Sequence, residues 1–128
     1  MQRATLIFAA VLYAVCLAAE HAPDFTGTGQ LTIVVVEETA ERTAQHADVL
    51  LSPKLDEFRT GCALKIVDKD VAGPDAPQVQ WAIDAAKPAI EAKRLPVICL
   101  RRGNRITVRN LPKTADETVK LFKSYGAK

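Results

Sequence analysis

The stretch that decides the fold is RLPVICLRRGNRITVRNLP, Arg94 to Pro112. Val97 to Leu100 is a continuous apolar run of strand length, entered through Leu95-Pro96. Arg102-Gly103-Asn104 carries turn residues, and Arg105 to Arg109 (RITVR) alternates polar and apolar side chains. Two strands joined by so short a glycine-bearing link read as an antiparallel hairpin. Proline has no backbone N–H to give a sheet, so Pro96 suits the mouth of the strand rather than its interior.

Working outward, the segment behind the hairpin is a helix with its own start and stop. Thr114 followed by Glu117 is a capping box; Thr118, Leu121, Phe122 and Tyr125 share one face, and Gly126 sits at the end. Towards the N-terminus, Leu31 to Val36 (LTIVVV) is a β-branched run of the kind found in strands covered on both faces. Thr39 is expected to cap the helix that follows, with Glu37 and Glu38 as helix-start charges and Ala40, Ala44, Ala47 and Leu51 turned inward. That spacing leaves Glu41, Arg42, Gln45 and Asp48 to water. Ser52-Pro53 restarts a short helix that Leu55 and Phe58 pin to the core and Gly61 ends. A second strand covers 63–67, residues 68–76 form a loop, and Pro77 opens a helix bearing Val79, Ile83, Ala86 and Ile90 on one face. Pro88 falls inside that helix and is expected to kink or break it.

Length and composition bound the possibilities. The 128 residues make room for one domain, and 48% hydrophobic with 25% charged residues describes a packed chain rather than a disordered one. The start is different. Arg3 precedes a charge-free run from Ala4 to Ala19 that ends in small residues. A basic n-region, a short apolar core and an alanine-rich end describe a secretory signal peptide, cut after Ala18 or Ala19. The run is short of the about 20 residues of a membrane span, so membrane attachment would come only through an uncleaved signal. The expected organisation is thus a signal at 1–19, a linker at 20–30 and one domain at 31–128, in a periplasmic or extracellular protein. Without the signal, 16 basic residues face 15 acidic ones, which argues against a general polyanion binder.

The order strand, helices, strand, helix, strand, hairpin strand, helix resembles the thioredoxin fold over residues 31–126. Leu95-Pro96-Val97 stands where that family carries a cis-proline beside its active-site loop, and RRGNRITVRNLPKTADETVKLF is similar to the family's hairpin and last helix. The resemblance implies an α/β three-layer sandwich, a four-stranded mixed sheet with helices on both faces. It also implies where a redox motif would lie. In redox-active members a Cys-x-x-Cys opens the first helix, whose N-terminus stabilises the thiolate. Here that place is Thr39-Ala40-Glu41-Arg42 and contains no thiol, so disulfide exchange is not expected.

The remaining cysteines, Cys62 and Cys99, would flank the first strand on opposite sides in the implied order. Two inter-strand spacings hold them about 10 Å apart. A disulfide needs Cα atoms within about 7 Å, so they should stay separate. Cys99 reads as a small core side chain, and Cys62, at a strand entrance behind Gly61, as the exposed and reactive candidate.

Other polar groups carry less chemistry. Asp68, Asp70 and Gly73 match three positions of a calcium loop, but Ala72 and Val79 stand where further ligands belong, so a solvated turn is expected. His21 and His46 share no metal spacing, and no cofactor motif occurs. Trp81 reads as packing. Arg101, Arg102, Arg105 and Arg109 form a basic run with no acid, either a solvated edge or a docking patch for anions. Without interleaved aromatics, nucleic acid is not an expected partner. Three readings of function follow: a module without redox motif that binds an unspecified protein partner or serves structurally; a monothiol enzyme using Cys62 for sulfur transfer or peroxide handling; and an anion-binding domain using the arginine hairpin.

Overall fold

The computed structural model describes residues 29–127; the signal segment and most of the expected linker lie outside them. Strand β1 spans Thr32–Glu37 and is followed by a single 3-10 turn, Thr39–Glu41. Helix α1 is Ala44–Leu50, a second 3-10 turn covers Pro53–Leu55, and α2 is Asp56–Gly61. Then come β2 (Lys65–Asp68), α3 (Ala76–Glu91), β3 (Val97–Arg102), β4 (Arg105–Asn110) and α4 (Ala115–Ser124). The strands make one sheet in the order β2-β1-β3-β4. β1 runs parallel to β2 and antiparallel to β3, and β3 runs antiparallel to β4. The four-stranded mixed sheet of an α/β chain is therefore present. Among the described residues no helix is long and apolar enough to cross a membrane.

β1 is central, which is why its run carries no alternation: successive side chains point to opposite sides and both sides are covered. Ile33 and Val35 join Leu50, Leu55, Phe58, Ile98, Leu100 and Phe122 in one apolar cluster. Val34 and Val36 join Val79, Ala82, Ala86, Ala89, Val97 and Cys99 in the other. Phe58 and Phe122 meet edge to face, with ring centroids 5.1 Å apart, and so tie α2 to α4. Three alanines on the inner stripe of α3 allow that helix to lie close to the sheet.

Several local expectations need correction. Thr39 does not cap a helix. Its backbone N–H donates to Asp68 Oδ1 (2.8 Å) and its hydroxyl to Glu37 (3.2 Å), so neither group serves the next turn. The cap is Thr43, whose hydroxyl accepts from the His46 N–H (3.1 Å), and the helix starts only at Ala44. Nor does Pro88 break α3, which continues to Glu91. The proline lies near the helix's C-terminal end, and both Pro88 and Asp84, whose carbonyl loses its donor, are exposed to water. α4 follows its sequence signature: Thr114 accepts from the Glu117 N–H (3.1 Å), and Gly126 leaves the helix with φ +96°. A Cβ on Gly126 would lie 2.8 Å from Arg102 Nη2, so this glycine serves a close approach as well as the turn.

Candidate functional site

The turn after β1 folds over a buried carboxylate. Glu37 is the last residue of β1 and only 3% exposed. A carboxylate in that position needs partners, since burying a charge without them is costly. Arg42 supplies them: its Nε donates to Glu37 Oε2 (3.0 Å) and its Nη2 to Oε1. Thr39 adds a hydroxyl bond to Oε1. The bonds to Glu37 push the Arg42 guanidinium further above its already high range. The turn Thr39–Glu41 is thus folded over a buried ion pair.

β2 completes the arrangement. The Lys69 N–H donates to the Glu37 carbonyl (2.7 Å). The Thr39 and Asp70 N–H groups occupy the two oxygens of Asp68 (2.8 and 2.9 Å), holding its carboxyl below the usual carboxylate range. Glu38, Asp68 and Asp70 bring carboxylate oxygens within 4.8 Å of one another. Lys69 Nζ bridges Glu38 (3.1 Å) and Asp70 (3.0 Å), so part of the negative charge is compensated from within, and the two carboxylates raise the Lys69 ammonium in return. Asp68 ends β2 and so lies in the strand rather than in the expected loop, and Asp70 is an exposed turn residue.

The Leu95–Pro96 peptide bond is cis. Pro96 is buried, and Leu95 lines a cavity of about 280 Å³ together with Glu38, Glu41, Lys69, Ile90 and Lys93. The loop before β3 and the turn after β1 therefore face each other across one cleft. Its charged lining is two carboxylates and two ammonium groups, with Leu95 and Ile90 as the apolar part. Such a cleft can hold a mixed polar segment. Among the described residues no thiol stands over it, and the Thr39 hydroxyl donates to Glu37 Oε1, a carboxylate that Arg42 also holds.

The two thiols lie elsewhere. Both are free and both are buried. The expectation that Cys62 is exposed is wrong: it is 4% exposed, covered in the cluster of Phe58, Leu64 and Tyr125. Burial pushes its thiol up, partly opposed by the nearby Arg102 charge. Cys99 is pushed up to about 12 by burial, and its Sγ sits 3.5 Å from the Ala82 carbonyl.

The arginine run does not form one patch. Pairing of β3 with β4 sends Arg101 to the side of α3, where its guanidinium stacks 4.4 Å above the Trp81 ring. Arg102, Arg105 and Arg109 point to the other side. There Arg102 packs on Gly126, and Arg109 Nε donates to the Tyr125 hydroxyl (2.6 Å). Trp81 is half-buried in the α3 cluster, as packing requires. His46 lies in the first turn of α1, with no metal-ligand cluster around it among the described residues; His21 lies outside those residues.

The Glu37–Arg42 pair was not read from the sequence, because five residues is not a helical spacing. The available signal was position: Glu37 continues the inward parity of Ile33 and Val35. No family model, curated protein or solved structure matches this chain.

Proposed function

We propose that the chain is an exported thioredoxin-like domain, a three-layer sandwich with helices on both faces of its sheet, that works as a binding or structural module and not by disulfide exchange. The observation that carries this reading is the turn Thr39–Arg42, where a Cys-x-x-Cys would stand and where a buried ion pair stands instead. Exchange needs a thiolate at that place. The strand order, the cis bond at Leu95–Pro96 and the approach of Leu95 to Glu38 and Glu41 support the thioredoxin-like part. The charge-free run behind Arg3 supports export. The monothiol alternative loses its premise with the burial of Cys62, and the anion-binding alternative loses a single patch with the division of its arginines.

Insulin reduction in the presence of a thiol reductant tests the redox part. The mature protein should not exceed the rate of the reductant alone. Turnover that disappears in Cys62→Ser would replace the module reading by the monothiol one. N-terminal sequencing of exported material should begin at Ala19 or Glu20, and an intact Met1 in a soluble cytoplasmic pool would refute export.

A further inference from the structure

The cleft beside Leu95 holds two kinds of charge. Lys69 is engaged by Glu38 and Asp70, so those three groups answer one another within the chain. Glu41 and Lys93 line the same cavity of about 280 Å³, and neither side chain has a hydrogen-bond or ion-pair partner among the described residues. They stand on different walls. Glu41 ends the 3-10 turn after β1, and Lys93 lies in the loop between α3 and β3. Ile90 and Leu95, both half-buried, supply the apolar part of the lining.

Lys93 carries a second, independent signal. Its φ is +57°, in the left-handed region, where the Cβ of an L residue is crowded and a helix commonly ends in glycine. The Lys93 N–H reaches the Ile90 carbonyl (3.1 Å) and the Arg94 N–H the Ala89 carbonyl (2.9 Å), bonds that glycine would make as well. The lysine side chain therefore adds nothing to this helix end and makes it less favourable. A residue that breaks a local rule without an internal compensation marks a position where its side chain has a use. With no partner in the described chain, that use lies in a ligand.

Volume and charge together define the ligand. The cavity of about 280 Å³ falls just below the roughly 300–1,000 Å³ that enclose drug-sized molecules, so the ligand is small. An open carboxylate and an open ammonium in one cleft call for both charges on one molecule, and the apolar lining calls for an aliphatic body. A singly charged ligand would leave one of the two without a counter-charge.

We propose that the cleft binds a free aliphatic α-amino acid of the size of leucine. Its ammonium faces Glu41, its carboxylate faces Lys93, and its side chain lies on Ile90 and Leu95. This gives the module reading a ligand class and rests on it.

The probe is leucine, titrated into the isotope-labelled mature protein and followed by NMR. The amides of Glu41, Lys93 and Leu95 should shift and saturate, and binding should weaken with salt. N-acetylleucine lacks the ammonium and leucinamide lacks the carboxylate; each should bind about tenfold more weakly. Lys93→Gly relieves the left-handed residue, so it should melt no lower than the parent. It should nevertheless bind leucine about tenfold more weakly and no longer prefer it to leucinamide. Glu41→Gln, at an exposed side chain, should likewise lose the preference for leucine over N-acetylleucine. Absence of shifts at about 10 mM leucine, ten times a millimolar Kd, would overturn the proposal. Equal binding of leucine and leucinamide by the parent, or parent-like binding of leucine by Lys93→Gly, would overturn it too. Insulin reduction by the mature protein would overturn the module reading separately, whatever the response to leucine.

Discussion

Removing Arg42 tests the core of the site. In Arg42→Met the Glu37 carboxylate keeps only the Thr39 hydroxyl (3.2 Å) of its side-chain partners, in a place 3% exposed. Leaving one member of a buried pair uncompensated costs about 3–5 kcal/mol. The Arg42 side chain is 26% exposed, so water reaches the gap and part of that cost is screened. The expected loss is about 2–3 kcal/mol at pH 7. For a domain of this size that is a fall in Tm of roughly 10–20 °C. Glu37→Gln is milder, because the guanidinium left behind is partly hydrated and still meets an amide oxygen; about 1 kcal/mol is expected. The double variant Glu37→Gln/Arg42→Met should lie close to Glu37→Gln alone, since no charge remains to be stranded. Urea unfolding monitored by circular dichroism on all four proteins closes the cycle. If Arg42→Met costs less than Glu37→Gln, or if the two costs add, the buried-pair account is refuted.

Native protein should be inert to Ellman's reagent at pH 8 and should label at Cys62 and Cys99 once unfolded in urea, because burial raises both thiols; labelling of the folded protein at the rate of a free thiol would contradict the packing of Cys62. Asp68 is depressed in the folded state, so its contribution is present above the unfolded value of about 3.9 and is lost as pH falls through the lower folded value. Asp68→Asn should therefore cost about 1 kcal/mol at pH 7, with the gap to the parent closing below pH about 4 in urea titrations at stepped pH. Lys93 holds φ +57° behind α3, where the Arg94 N–H reaches the Ala89 carbonyl (2.9 Å) and the Lys93 N–H the Ile90 carbonyl (3.1 Å). This is a Schellman end with lysine in the glycine position. Lys93→Gly should raise stability by about 0.5–1 kcal/mol in calorimetry, and Lys93→Ala should leave it near the parent value.

Much of the fold was legible because its signals are short-range. A β-branched run, a glycine turn between two strands and a Thr-x-x-Glu box are each decided within a few residues, by sterics and by the nearest backbone donors. Three such signals misled. The stripe Ala40, Ala44, Ala47 and Leu51 was expected inward, but Leu51 is 62% exposed, Ala40 and Ala44 are exposed, and Val49 and Leu50 take the core. Thr39 had the chemistry of a cap, but Asp68, 29 residues away, takes its N–H. Pro88 had the chemistry of a breaker, but its place near the helix end lets water replace the missing bond.

The order of the elements along the chain, the hairpin, the closing helix and the absence of a thiol at Thr39–Arg42 were present in the sequence by itself. Only the tertiary structure decided that Glu37 is buried and needs Arg42, that Cys62 is buried at the end of α2, and that four arginines close in sequence divide between opposite sides of a sheet. The reason is physical. Local periodicity states which side chains share a face, whereas burial depends on what the rest of the chain lays over that face. Charge density along a sequence likewise becomes a surface only after strand pairing has assigned each side chain to one side.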